Sequence, residues 1–458
     1  MHAFQEQYRT VVNSKTPKEF FQNLPQLWID ILTVIPGMAF ILSVIKQLIV
    51  VLIEPYPYVG ATASAKRIAG VFGSIALLLR LGKYLTGPRE PRLSFKKNVP
   101  MLFFTGLIVL MLISTCINYS VNPHAVTGAM YRSETLVGFL IYFVIYYFGS
   151  TFIQKQKTKS ILLYTFLIAA LIQNIFVLFM VYVLHDSTHE LYDFRIKGFF
   201  SQFNHYGYYL MLVVIISYVL TVLEKNKALK LVAFISFLIG SAALVLNDTF
   251  GCFLAGIAAM LFSIFAISVI RGKINLPSIG MFVLFWAISF LINFWQPTVL
   301  SNLIQFSHDV SNVASGNTEA AHAGTGRFTL WKLTLGYIKE KPLFGYGLEG
   351  IGKRLLADAG FYSNDRPHNE YLQYAAFWGI PAMILYLGGL LSVFLSAWKN
   401  RKKLDAYSLA ALCAAAAYLC SAMFGNTMHY TAPYLFIFMG LSFGLCKNEA
   451  PGLQQKES

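Results

Sequence analysis

Charge is what this chain has least of. Only 12% of its 458 residues are Asp, Glu, Lys or Arg, against about 25% in soluble domains. That shortage excludes an ordinary water-soluble globule. Cysteine is scarce too. Cys116, Cys252, Cys413, Cys420 and Cys446 all fall in or at the edge of apolar runs, so they read as small buried residues and not as a loop disulfide framework. Met1–Asn23 is polar and amphipathic; no cleavable signal is expected there, and the first apolar stretch would itself direct insertion. No RNA- or DNA-binding signature accompanies the net charge of +15, so no nucleic acid partner is expected. Inverted internal repeats, common in transporters, are also missing.

Apolar length is what the chain has most of. It is 56% hydrophobic, in blocks such as Met101–Ile117 and Ile279–Trp295. A spanning helix needs about 20 such residues, and these runs are far longer than the roughly ten alternating residues of a barrel strand. The expected fold is all-α: a polytopic membrane protein with about 12 transmembrane helices. They fall near 27–53, 68–86, 99–120, 135–154, 160–184, 206–223, 229–246, 251–270, 277–297, 370–397, 405–424 and 431–446. The first carries Asp30 and Lys46; the second carries Arg80 and Lys83, which are expected to snorkel.

Lys and Arg in short loops give the orientation. With the N-terminus cytoplasmic, the inner loops hold Arg89, Arg92, Lys96 and Lys97; Lys155, Lys157 and Lys159; Lys225, Lys227 and Lys230; Arg271 and Lys273; and Lys399, Arg401, Lys402 and Lys403. The outer turns near 247–250 and 425–430 hold none, whereas Lys66 and Arg67 break the rule. Both termini are then cytoplasmic. Residues 1–26 form an N-terminal segment, 27–297 the first nine spans, 298–369 one large external capping loop, 370–446 the last three spans and 447–458 a tail. Every histidine but His2 falls outside or at the outer edge; His185, His189 and His308 read as solvated loop residues.

The external loop carries the informative motifs. Gly324-Thr325-Gly326-Arg327 precedes Trp331, and Leu330–Ile338 reads as a short amphipathic helix; a start near Arg327 would set Arg327 and Trp331 on one face. Pro342-Leu343-Phe344-Gly345-Tyr346-Gly347 would end it in a tight turn. Arg366-Pro367-His368-Asn369-Glu370-Tyr371-Leu372 opens the tenth span, with Gly379-Ile380-Pro381 further in.

In this order the motifs resemble the O-antigen ligase and polysaccharide polymerase superfamily, whose pattern is Gly-Arg with Trp one turn later, Pro-Leu-Phe-Gly-x-Gly, then His-Asn-x-Tyr-Leu and a Gly. Tyr131-Arg132-Ser133-Glu134-Thr135-Leu136 is similar to the family's Arg-x-Glu-Gly-Leu, and Arg195-Ile196-Lys197-Gly198 with Asn204-His205-Tyr206-Gly207 also look like it. One departure stands out: many members carry an Arg near the turn before the eighth span, where this chain has Asn247-Asp248-Thr249-Phe250-Gly251.

The resemblance implies a glycosyltransferase in the plasma (inner) membrane, with its active site on the outer face. It would move a glycan from a polyprenyl diphosphate donor to an acceptor hydroxyl on a glycan, lipid or protein, alongside the bilayer and other polysaccharide-assembly proteins. No cofactor is expected. No Asp-x-Asp pair stands in an outer loop, so no metal is expected, and arginine would stabilise the leaving diphosphate. Arg327 and Arg195 are the first candidates, with Lys197 and Arg132 behind them. His368 is the candidate general base, with Asp365 or Glu370 to orient it. Asn204, His205, Trp331, Asn369 and Tyr371 are candidate substrate contacts; Tyr206, Tyr208 and Tyr362 are further candidates for stacking on sugars. Attack opposite the diphosphate would invert the anomeric centre. The competing reading is a transporter or flippase of polysaccharide or lipid-linked oligosaccharide, which would show polar residues at mid-membrane.

Overall fold

The apolar runs form helices because a helix pairs its own backbone N–H and C=O groups, and lipid offers them no other partner. A computed structural model describes residues 2–53, 60–86, 98–122, 124–127, 134–185, 190–191, 195–200, 202–316, 323–360 and 364–443. Among these lie nineteen α-helices and one antiparallel hairpin with two residues per strand.

Two short helices, α1 (His2–Val12) and α2 (Pro17–Asn23), precede α3 (Gln26–Ile53) and α4 (Gly60–Thr86). Then come α5 (Val99–Asn118), the one-turn α6 (His124–Thr127), α7 (Leu136–Thr151) and α8 (Gln156–Tyr182). The hairpin β1 (Glu190–Leu191) and β2 (Arg195–Ile196) leads to α9 (Phe203–Leu223), α10 (Lys227–Asn247), α11 (Phe250–Arg271) and α12 (Leu276–Trp295). The 298–369 segment holds α13 (Val299–Ser315), α14 (Arg327–Glu340) and α15 (Gly352–Asp358). The chain finishes with α16 (Glu370–Trp378), α17 (Ile380–Lys399), α18 (Ala406–Ser421) and α19 (Ala432–Ser442).

Among the described residues, nine helices are long and apolar enough to cross a membrane. Three shorter apolar helices, α7, α18 and α19, fill the remaining expected positions. The central one is α9, buried at every residue from Tyr206 to Val222 and flanked by α10, α11 and α18. A helix enclosed on all sides has no polar stripe. Small residues permit close crossings in lipid: a Cβ on Gly149 of α7 would lie 2.9 Å from the Cα of Gly440 in α19.

Three expectations change. Arg80 does not snorkel. It is buried against α3, with Nη2 3.0 Å from Asp30 Oδ1, Nε 3.0 Å from Thr33 Oγ1, and its guanidinium 3.5 Å over the Phe152 ring. Charges within the first two spans thus bind them together; Lys46 Nζ likewise reaches Ser64 Oγ at 2.6 Å. Lys159, read as a basic loop residue, is buried in α8 and bonds to Asp405 and Ser408 at the start of α18.

The tenth span, expected as one helix, is two. α16 stops at Gly379, whose φ of 92° and ψ of 164° belong to a region open essentially to glycine alone. Such a break leaves carbonyls without helical partners, and the Pro342–Gly347 turn supplies them. Tyr346 N–H donates to Ala376 O (2.9 Å), Gly347 N–H to Phe377 O (2.8 Å), and Ile380 N–H to Pro342 O (2.7 Å). From α5, Ser114 Oγ donates to Phe344 O (2.6 Å) and Asn118 Nδ2 to Gly345 O (3.3 Å). Pro-Leu-Phe-Gly-Tyr-Gly is therefore a strap that satisfies a broken helix.

Candidate active site

A cavity of about 1470 Å³ opens at one end of the bundle. It is bordered by Glu134 ahead of α7, the first turns of α9, the α10–α11 turn, α13, the Ala323–Trp331 segment, the loop to His368 and the α18–α19 turn. Successive spans alternate in direction, so all these ends lie on one side. Lys155, Lys157, Lys225, Lys227, Arg271, Lys273 and Lys399 lie at the opposite ends.

Arg327 starts α14 after a turn in which Gly324, Thr325 and Gly326 all have positive φ. Its Nη1 donates to Gly324 O (2.9 Å) and Thr325 Oγ1 (2.8 Å). Its Nε is buried with no hydrogen-bond partner, and so is Trp331 Nε1, one turn on and also on the cavity wall. Burial pushes the Arg327 guanidinium below its ordinary pKa, while Tyr208 and Cys252 act in the other direction. Two N–H donors thus lack acceptors on a partly buried cation and its neighbour, an arrangement that favours an anionic, oxygen-rich ligand. Trp331 also lies 6.4 Å, ring to ring, from Phe424.

His368 also lines the cavity, with φ at 51°. For a non-glycine residue that conformation costs about 1–3 kcal/mol and needs its surroundings to hold it. Its N–H donates to Asn426 Oδ1 (2.8 Å), which turns the Asn426 amide so that Nδ2 lies 3.5 Å from His368 Nδ1. Two residues earlier, Arg366 is fully buried. Its Nη1 lies 2.9 Å from Glu134 Oε2, its Nη2 pairs with Glu349, and its guanidinium sits 5.2 Å from the Phe377 ring.

The expected residues divide. Arg327, Trp331, His368, Asn204 and His205 meet at the cavity, as does Tyr208. Lys197 is half-buried and does not border it. Asn369 caps α16, its Oδ1 taking Leu372 N–H at 3.1 Å, and Tyr371 donates its hydroxyl to Leu419 O. Tyr206 is buried behind the wall on Asn174. Glu370 does not orient His368 in this arrangement, because its carboxylate accepts from Tyr386 (2.5 Å) and Tyr418 (3.0 Å). Arg132, Tyr362, His189 and the Arg195 side chain lie outside the described residues. His185 and His308 are exposed.

Several cavity residues escaped the sequence reading. The turn without an arginine places Asp248 on the wall, with φ of 56°, accepting from Asn302 Nδ2 at 2.5 Å. On α13, Gln305 Nε2 donates to Asp309 Oδ1, and Asp309 Oδ2 accepts Gly324 N–H, both at 2.8 Å. The His429 and Tyr430 rings lie 3.8 Å apart, tilted by 39°, and Tyr430 meets His205 at 5.0 Å. Among the described residues no three His, Cys, Asp or Glu side chains converge as metal ligands would.

Residues 235–387 match a family model described as O-antigen ligase. The matched stretch runs from α10 into α17 and includes Arg327, the strap and His368. No curated protein matches the chain.

Proposed function

Over residues 235–387 the chain belongs to the O-antigen ligase family, and from that premise we propose a metal-independent glycosyltransferase acting on lipid-linked glycans. Ligation or polymerisation of glycans at a membrane is the family's work; the donor, the acceptor and the residue roles are proposed. The donor is a glycan on a polyprenyl diphosphate and the acceptor is a sugar, lipid or protein hydroxyl. The cavity faces the outer side of the membrane, because the basic loops lie at the opposite helix ends.

The single observation that carries this reading is Arg327 and Trp331 presenting buried, unpartnered donors to the same cavity that His368 borders. The acceptor hydroxyl attacks the anomeric carbon, and its proton passes to the His368 imidazole. The bond from that carbon to the diphosphate oxygen breaks, and the lipid diphosphate leaves with the charge. Arg327 binds that charge as it grows, from the partly buried wall of the cavity. Accepting the proton through Nε2 requires Nδ1 to carry the ring's other hydrogen, so the Asn426 amide must turn or yield at that step. In-line displacement inverts the anomeric centre.

A volume of about 1470 Å³ exceeds the roughly 300–1,000 Å³ of single small-ligand sites. It suits two substrates at once. The amides and carboxylates of Asn302, Gln305, Asp309 and Asp248 suit sugar hydroxyls, with Phe250, Phe306 and Trp331 as stacking faces. The polar groups gather at one end of the bundle, which favours transfer over transport.

The test is a transfer assay in liposomes, with a defined glycan on polyprenyl diphosphate, candidate acceptors and EDTA. Transfer should survive EDTA and fall by about 100- to 1,000-fold in Arg327→Ala, with a comparable loss in His368→Ala. The acceptor that works separates ligase from polymerase. Labelled lipid or solute crossing the bilayer without any glycosylated product would overturn the proposal in favour of a transporter.

A further inference from the structure

The transfer step proposed above does not draw on the motif residues Arg366 and Glu134, yet the structure sets them against each other. Arg366 has no solvent exposure, and Glu134 and Glu349 are nearly as buried. One guanidinium faces both carboxylates: Nη2 donates a hydrogen bond to Glu349, while Nη1 meets Glu134 as a charge contact without hydrogen-bond geometry. The three residues come from separate parts of the chain: the lead into α7, the turn that follows the strap, and the loop that delivers His368 to the cavity. A buried ion group of this kind contributes little net stability compared with apolar side chains, and its better-attested use is to specify one arrangement.

Glu349 has φ of 65° and His368 has φ of 51°. Both lie in the left-handed region that side chains seldom adopt. Arg366 grips the first directly. Only Pro367, with its fixed φ, separates it from the second. On the far side, Asn426 holds the His368 N–H and Ala422 O takes the Glu370 N–H. The loop is therefore fixed on both flanks of His368, and Arg366 provides one of those anchors.

We propose that Arg366, clamped by Glu134 and Glu349, is a positioning residue that sets His368 against the acceptor hydroxyl. The inference rests on the reading of His368 as the proton acceptor. Lysine would not replace Arg366, because a point charge lacks the planar fork that meets two carboxylates at once.

The experiment is a double-mutant cycle on the reconstituted transfer reaction. Arg366→Lys and Glu349→Gln are each made in the wild type and in His368→Ala. In the wild type each should lower kcat, Arg366→Lys by about 100-fold, the loss that goes with a misplacement near 1 Å. The donor KM should stay within about twofold, since Arg327 and Trp331 are untouched. In the His368→Ala background neither substitution should lower the residual kcat further. If Arg366→Lys fails to yield folded protein, Glu349→Gln carries the cycle, because it leaves the Arg366–Glu134 pair intact. An equal fold-loss in both backgrounds would mean that Arg366 acts without His368, and would overturn this proposal alone. Wild-type transfer by His368→Ala would overturn the reading of His368, and this proposal with it.

Discussion

Replacing Gly379 with alanine tests whether the strap and the broken span form one structural unit. A Cβ built there lies 2.1 Å from Leu343 O, 2.4 Å from Leu343 C and 2.8 Å from Phe344 N, all backbone atoms that cannot rotate away. The φ of 92° adds about 1–3 kcal/mol of backbone strain for any side chain. Forcing the strap outward adds about 1–3 kcal/mol of overpacking and stretches the Ile380–Pro342, Tyr346–Ala376 and Gly347–Phe377 hydrogen bonds. The expected destabilisation is therefore about 2–6 kcal/mol. It is measured as the shift in denaturant-induced unfolding of detergent-purified protein, with transfer activity followed in parallel. Gly336→Ala is the internal control. Nothing lies within 4 Å of a Cβ at that exposed position in α14, so it should stabilise by about 0.5–1 kcal/mol. A destabilisation below about 1 kcal/mol for Gly379→Ala would refute the reasoning, since the strap would then have to move at almost no expense.

Arg80→Ala should destabilise by about 1–3 kcal/mol through loss of the Asp30 and Thr33 bonds and the Phe152 contact. Asp30→Asn should have less effect, under about 1 kcal/mol, because that carboxylate is 41% exposed; unfolding of the two variants checks the ranking. Hydrogen bonds from Arg354 and Tyr346 hold the Glu340 carboxyl at about 2, below its ordinary 4.5. A lowered folded value gives stability that is complete above about pH 4.5 and fades as pH falls toward 2. Amide exchange across α14 and α15 should show that loss, and Glu340→Gln should abolish it. Trp331→Phe keeps a ring but removes the unpartnered N–H, so the donor KM should rise about 3- to 10-fold with kcat little changed.

Among the described residues, the nine helices long enough to cross lipid were legible because an apolar run of that length has few alternatives. Even α18 and α19, at 16 and 11 residues, announced themselves by composition. The break at Gly379 was not legible. The apolar pattern runs straight through it, and the partners of its carbonyls lie in a different motif. The pairing of Arg80 with Asp30 was hidden for a similar reason: the two are 50 residues apart, and a charge in a span carries no sign of which neighbour will meet it. At the site, Arg327, Trp331 and His368 could be named because they stand in a recognisable order. Asn426 and Asp248 could not, since each acts through a partner 58 or 54 residues away. Asn369 and Tyr371 sit in the same motif as His368 but spend their polar atoms capping α16 and joining it to α18. A shared motif reports a shared need, and that need can be a helix end as readily as a substrate.

The strap has a bearing on how the protein is assembled. Pro342–Gly347 is synthesised before α16 and α17, so the donors that complete the break already exist when those helices enter the bundle. The segment between α12 and α16 is thus not an appendage that could be exchanged between proteins or trimmed to leave a working bundle. Removing it would strip the Ala376 carbonyl of its donor and leave that of Phe377 with the Ser114 hydroxyl alone. Recombination between such proteins therefore has to carry the strap and the broken span across as a single inherited block.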